Sequence, residues 1–169
     1  MSIAAITPSL TGAEGRLEKV DLGQSFSALV DYAHSPDAVT RVLETAKAFT
    51  AGKVIAVLGC GGDRDVTKRP LMGAALSNGS DIAIFTSDNP RSEAPQVILD
   101  SMTAGLKVSA PSKVIENRSS AIEYAVSLAK PGDTVLLLGK GHEIGQEIAG
   151  VIHSFDDRIE LARAIEGKP

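Results

Sequence analysis

Short apolar runs and amphipathic stretches take turns along most of this chain. Residues 53–58 contain the run VIAVL and residues 134–138 read TVLLL, each closed by a glycine. Runs this short and this uniformly apolar predict buried strands. Residues 81–86 and 113–116 read as two more strands. Between them, residues 67–77, 94–106 and 119–129 repeat apolar side chains every three or four positions, the period of a helix with one buried face. Upstream, residues 16–21 and 26–30 read as strands joined by a turn at Leu22-Gly23-Gln24. Residues 36–51 read as a helix with Ser35 as N-cap, Pro36 at the first helical position, and Val39, Val42, Leu43, Ala46 and Phe49 on one face. Residues 151–153 form a last short strand and 156–165 a closing helix. Residues 1–14 are small and polar and read as a linker or ragged edge. The alternation predicts an α/β domain over residues 15–169, with a Rossmann-like, mostly parallel sheet and helices on both faces.

Composition narrows this picture. With 43% hydrophobic residues the chain can build a core, and with no Trp, four Phe and two Tyr that core must be mostly aliphatic. A net charge of −4, from 17 basic and 21 acidic residues, argues against a nucleic-acid-binding face. The single cysteine, Cys60, cannot form an intrachain disulfide, so the chain is expected in a reducing cytoplasm. No apolar run is long enough to predict a transmembrane helix. The first ten residues, MSIAAITPSL, lack the basic start and long apolar stretch of a signal peptide.

In open α/β sheets, ligands bind beyond the carboxyl ends of the strands. Four predicted strand ends carry glycine, charge or both: Asp31-Tyr32-Ala33-His34, Gly59-Cys60-Gly61-Gly62-Asp63-Arg64-Asp65, Asp88-Asn89-Pro90-Arg91, and Gly139-Lys140-Gly141-His142-Glu143. Loops built only to turn have no need of paired charges, so a composite site is expected there. Known phosphate and metal motifs do not complete. Gly139-Lys140 is followed by Gly141, not the Ser or Thr of a Walker A loop. Gly59-Cys60-Gly61-Gly62-Asp63-Arg64 ends in Arg where a dinucleotide fingerprint needs Gly. His142-Glu143-Ile144-Gly145-Gln146 ends in Gln where a zincin needs His. A charged strand-end site without a phosphate loop is the pattern of a partial active site.

The strings Gly15-Arg16, DYAHSPD (31–37), GCGGDRD (59–65), KRPLMG (68–73), DNPR (88–91), GKGHE (139–143) and FDDR (155–158) stand here in one order. Together they resemble the C-terminal domain of the Mur ligases that extend UDP-N-acetylmuramoyl-L-alanyl-D-glutamate by the third residue of the peptidoglycan stem peptide. The resemblance covers residues 12–166. DNPR resembles the motif of members that add meso-diaminopimelate. It implies an ATP-dependent amide ligase acting through an acyl phosphate. It further implies that the UDP-binding N-terminal domain and the ATP-binding central domain, which holds most of the Mg2+, are absent from this chain. An isolated C-terminal domain is then expected to be inactive. Carried over by position, Arg91, Asn89 and Arg64 face the amino acid, within a motif that includes Asp88 and Pro90. Gly139 and Glu143 bind its ammonium group, and Arg16, Asp31 and His34 approach the nucleotide when the domain closes.

Plainer roles stand beside these. Asp31 could simply end a strand, and Pro90 could only fix a turn. Cys60 reads as a small buried residue, Arg69 as structural, His142 as local or functional, His153 as a strand or surface residue, and Asp156 and Asp157 as cap and first-turn acids. The alternatives to a diaminopimelate ligase are a ligase adding lysine or ornithine and a stand-alone module binding an amino acid or wall precursor. A folylpolyglutamate synthetase is a further one, against which DNPR and GGDRD argue.

Overall fold

The computed structural model describes residues 15–169; the segment 1–14, read above as a linker, lies outside the described residues. Among the described residues, eight strands and five helices follow in order: β1 Glu18–Lys19, β2 Ser27–Asp31, α1 Pro36–Phe49, β3 Val54–Cys60, α2 Lys68–Gly79, β4 Ile82–Ser87, α3 Pro95–Met102, β5 Lys113–Val114, α4 Arg118–Leu128, β6 Thr134–Leu138, β7 Gly145–Ile148, β8 Val151–Ser154 and α5 Asp157–Glu166.

Six strands form one sheet in the order β1-β2-β6-β3-β4-β5. Only the β1–β2 pairing is antiparallel. Strands β3, β4 and β6 are buried along their whole length, as parallel strands covered on both faces must be. Alternation of side chains then divides the core in two. Leu29, Ala56, Leu58, Phe85, Leu136 and Leu138 face α1, α2 and α3. Val30, Ile55, Val57, Ile84, Val135 and Leu137 face α4 and α5.

The helices begin where local chemistry favours it. Ser35 accepts the Ala38 N–H at 3.2 Å with Pro36 in the first turn, and Asn117 accepts the Ser120 N–H at 2.9 Å. Helix α3 is shorter than the expected 94–106. The Thr103 N–H and hydroxyl both turn back onto the Leu99 carbonyl, and Gly105 follows in the left-handed region.

One element is absent from the sequence reading. Residues 145–148 form β7, which pairs with β8 in a separate hairpin; the expected strand 151–153 is the second arm of it. Its tip, Ala149-Gly150, has φ of 51° and 79°, the two left-handed residues of a tight hairpin turn. Asn or Asp normally marks the first of those positions, so Ala149 concealed the turn. No helix among the described residues is long and apolar enough to cross a membrane.

Candidate functional site

Strands β2, β3, β4 and β6 lie side by side in the order β2-β6-β3-β4, so the four charged segments meet at one end of the sheet. Between them lies a cavity of about 380 Å³, lined by His34, Arg64, Asp88, Asn89, Arg91, Gly139 and Glu143 among others, with Asp65, Lys68 and Arg69 also in its wall. Of the residues expected around an amino acid, only Pro90 lies outside it. Pro90 is buried, with its carbonyl against Gly62, where an added Cβ would overlap it. Gly62 is thus the point at which the glycine loop after β3 can touch the DNPR segment.

That contact is part of a clamp. The Gly62 N–H donates to the Asn89 carbonyl at 2.8 Å. Arg91 Nη1 donates to the Gly62 carbonyl at 2.9 Å. Asp63 accepts the Ser92 hydroxyl at 2.6 Å and the Ser92 N–H at 3.2 Å, and these donors hold its carboxyl below the usual carboxylate range. Arg69, buried and structural as expected, grips Glu93 through both carboxylate oxygens at 2.7 and 3.0 Å and lowers its pKa. The β7 strand clamps the same segment from the opposite side. The Arg91 N–H donates to the Glu147 carbonyl at 2.9 Å, and the Ala149 N–H to the Arg91 carbonyl at 2.8 Å. Glu147 N–H donates to Asn89 Oδ1 at 3.0 Å, and Gln146 Nε2 to the Asp88 carbonyl at 2.7 Å. Held between loop and hairpin, Arg91 takes a left-handed φ of 53° that a free chain would disfavour. Its Nε lies 3.8 Å from Glu147 Oε1.

Strand β6 ends at Leu138, and the next residue, Gly139, has a φ of 105° that is open only to glycine. Next stands Lys140, fully buried, which the strand-end motif contained but which the sequence reading gave no role. Its ammonium donates to the Gly145 carbonyl at 2.7 Å and lies 3.4 to 3.5 Å from Asn89, Asp88 and Glu143.

Behind the site lies a second group that local sequence did not reveal. Arg118 is fully buried and pairs with Asp157, also fully buried, at 2.7 and 2.8 Å. Burial opposes its charge most strongly, but Asp157, with Asp88 and Glu143 adding to it, holds the Arg118 pKa above its ordinary value. The same guanidinium donates to the carbonyls of Ser87 and Leu138 at 3.0 Å each. These residues directly precede Asp88 and Gly139. Asp156 is the N-cap of α5 and Asp157 a first-turn acid, both as expected; Asp157 is in addition the buried partner of Arg118.

Arg16, Asp31 and His34 line an adjoining recess of about 330 Å³ with Tyr32, Ser35 and Arg41. Asp31 spends both oxygens on backbone: it accepts the Leu17 N–H at 2.9 Å and the Ala33 N–H at 2.8 Å. It thereby fixes the bend that displays Arg16, which is exposed. His34 is exposed, and its ring lies 4.4 Å from that of Tyr32.

Cys60 is buried in the cavity wall. Burial, reinforced by Asp88, pushes its thiol up from 9.0 to about 12. The native protein should therefore react slowly with thiol reagents at pH 8 and quickly once unfolded. Between the ordinary thiol pKa and 12 the folded chain retains a proton that the unfolded chain has lost, so stability should fall as pH rises there. Equal labelling rates for native and unfolded chain would contradict this.

The Mur ligase, glutamate ligase domain family model matches residues 15–141. The chain belongs to this family. It is 54% identical over 164 residues to the UDP-N-acetylmuramoyl-L-alanyl-D-glutamate--2,6-diaminopimelate ligase of Streptomyces avermitilis, covering 94% of this chain and 32% of that protein. Against the ligase of the same name from Bacillus cereus it is 46% identical over 167 residues, covering 99% of this chain and 34% of that one. A solved structure of a ligase of that name superposes with a TM-score of 0.86 at 43% identity, over 98% of this chain and 34% of the other. This Mur ligase domain spans about a third of the length of these relatives.

Proposed function

We propose that this domain is the amino-acid-receiving part of a longer, cytoplasmic, ATP-dependent ligase. That enzyme would join meso-diaminopimelate to UDP-N-acetylmuramoyl-L-alanyl-D-glutamate for peptidoglycan synthesis. The observation that carries the reading is the divided polarity of the 380 Å³ cavity. Asp88, Glu143 and the Gly139 strand end form an acidic side. Arg64 and Arg91 come together around Gly61, with Asp65, Lys68 and Arg69 also in the lining. An amino acid with an ammonium and a carboxylate on one carbon fits such a cavity end to end. The similarity to ligases named for 2,6-diaminopimelate supports that amino acid over lysine or ornithine.

In this reading Glu143 and the Gly139 carbonyl hold one ammonium group of diaminopimelate. Arg91 pairs its distal carboxylate, with Asn89 and Arg64 beside it. The other amino group is thereby aimed out of the cavity toward the D-glutamate carboxyl. ATP, when bound, supplies the phosphoryl group that activates that carboxyl as an acyl phosphate. The amine nitrogen attacks, the amide C–N bond forms, phosphate departs and the nitrogen loses a proton. Arg16 and His34, with Asp31 anchoring the bend behind Arg16, form the edge that meets the nucleotide on closure. An exposed guanidinium beside a recess suits a polyphosphate. Among the described residues no group of three or more His, Cys, Asp or Glu is arranged to hold a metal ion. In this reading the principal Mg2+ ligands, with the ATP phosphate loop, belong to the parts of the longer ligase beyond this domain.

The test compares this chain with a longer protein that restores those domains. Given ATP, Mg2+, the UDP-linked dipeptide and diaminopimelate, the chain alone should release no ADP and form no amide above background. The longer protein should form the tripeptide product. Turnover by the chain alone would sink the reading, as would a longer protein that ignores diaminopimelate. Millimolar or tighter binding of diaminopimelate to the isolated chain without nucleotide would favour a stand-alone binding module.

A further inference from the structure

Every polar group around the Lys140 ammonium belongs to the amino-acid cavity or to the hairpin that braces it. Its strong hydrogen bond, 2.7 Å to the Gly145 carbonyl, fixes the start of β7. Its other neighbours are Asn89 Oδ1 at 3.4 Å, Glu143 Oε1 at 3.5 Å and Asp88 Oδ1 at 3.5 Å. That Asp88 oxygen is buried and has no hydrogen-bond partner of its own, so the Lys140 charge is its main compensation. Lys140 is fully buried, while the Glu143 side chain is 37% exposed and the Asp88 side chain 14%. The cation lies beneath, and the carboxylates lie between it and the cavity. A buried ammonium without partners would be costly; this one is tolerated because two carboxylates and two carbonyl-type oxygens surround it.

We propose that Lys140 is the positioning residue of the amino-acid site. It holds Asp88, Asn89 and Glu143 from behind, and its charge sets the acidic side of the cavity to a net of one negative charge. Two carboxylates and one ammonium leave room for one further ammonium. Without Lys140, Asp88 and Glu143 would repel each other, Asn89 Oδ1 would lose one of its two neighbouring donors, and β7 would lose its tie to the loop after β6. Lys140 itself is too buried to touch a ligand, so its effect passes through these three side chains. The inference rests on the reading of the cavity as a diaminopimelate site.

The test uses the longer ligase with Lys140→Gln, which keeps a donor for Gly145 but removes the charge, and Lys140→Met, which removes both. Each is assayed for KM toward diaminopimelate, KM toward ATP, and kcat at saturation. Thermal melting checks folding. Lys140→Gln should raise KM for diaminopimelate by about tenfold or more, the scale of a lost charge-assisted contact. KM for ATP should stay within about twofold, since Lys140 is not among the residues that line the recess beside Arg16. Lys140→Met should do at least as much. Unchanged kinetics in Lys140→Gln would overturn the proposal. So would parallel losses for diaminopimelate and ATP, or loss of cooperative melting in both variants, since either makes Lys140 an ordinary core residue. A wild-type ligase that does not use diaminopimelate overturns the functional reading first and this proposal with it. A wild type that does, with unaffected variants, overturns this proposal alone.

Discussion

Arg118→Ala should destabilise the domain by about 3–5 kcal/mol, the range for removing one partner of a buried ion pair. That is a large share of the roughly 5–15 kcal/mol by which a domain is stable. Thermal melting should fall by roughly 6–20 °C, at about 2–4 °C per kcal/mol for a chain of this size. The reason is what the truncation leaves behind. Asp157, fully buried, loses two hydrogen bonds at once. The carbonyls of Ser87 and Leu138 lose theirs as well. None of these four acceptors is open to water, because Asp157, Ser87 and Leu138 are all buried. The companion test is the double replacement Arg118→Met with Asp157→Leu. An apolar pair of similar volume leaves no orphaned charge, so it should lose less stability than Arg118→Ala. Urea and thermal unfolding of the three proteins decide the matter. A single-variant loss below about 1 kcal/mol would show the pair to be dispensable.

The second large effect concerns which amino acid enters. In the longer ligase, Arg91→Ala should raise KM for meso-diaminopimelate by roughly thirtyfold or more, on the basis of about 2–5 kcal/mol for truncating one side of a shielded charge pair. ATP should be little affected. Lysine differs by lacking the distal carboxylate, so whatever low activity it shows should change little. The structure sharpens this expectation. Arg91 is only part-exposed, its backbone is gripped by β7, and one guanidinium nitrogen is already committed to Gly62. It cannot swing away from the cavity without breaking those bonds. An equal loss toward both amino acids would make Arg91 a structural residue, and a wild type that prefers lysine would mean the motif serves another substrate.

The strands that build the sheet were legible because β3, β4 and β6 are buried on both faces and their sequences are correspondingly apolar. Helix α1 was legible from Ser35, Pro36 and its apolar stripe. The strand ends pointed to the cavity because the sheet order gathers them, and most of the expected residues line it. The groups that hold those residues in place were not visible in the same way. Arg118 and Asp157 stand 39 positions apart; each, taken alone, looks like an ordinary charge in the first turn of a helix. Lys140 looks like a strand-end cation until its burial is seen. Ala149 occupies a turn position without the usual turn residue, so the hairpin that braces Arg91 went unread. Local pattern reports which face a side chain takes, but not which distant charge it will meet.

The strand order also has a bearing on how the molecule is made. Strand β6, which lies between β2 and β3, is the last of the six sheet strands to emerge during synthesis. Until residue 138 has left the ribosome, β2 and β3 have no neighbour on the sides that will face each other across β6. Two half-sheets with open apolar edges must wait for a single five-residue insertion. A nascent chain stalled between residues 88 and 133 would therefore hold both half-sheets with their inner edges open, whereas release of β6 closes both edges in one step.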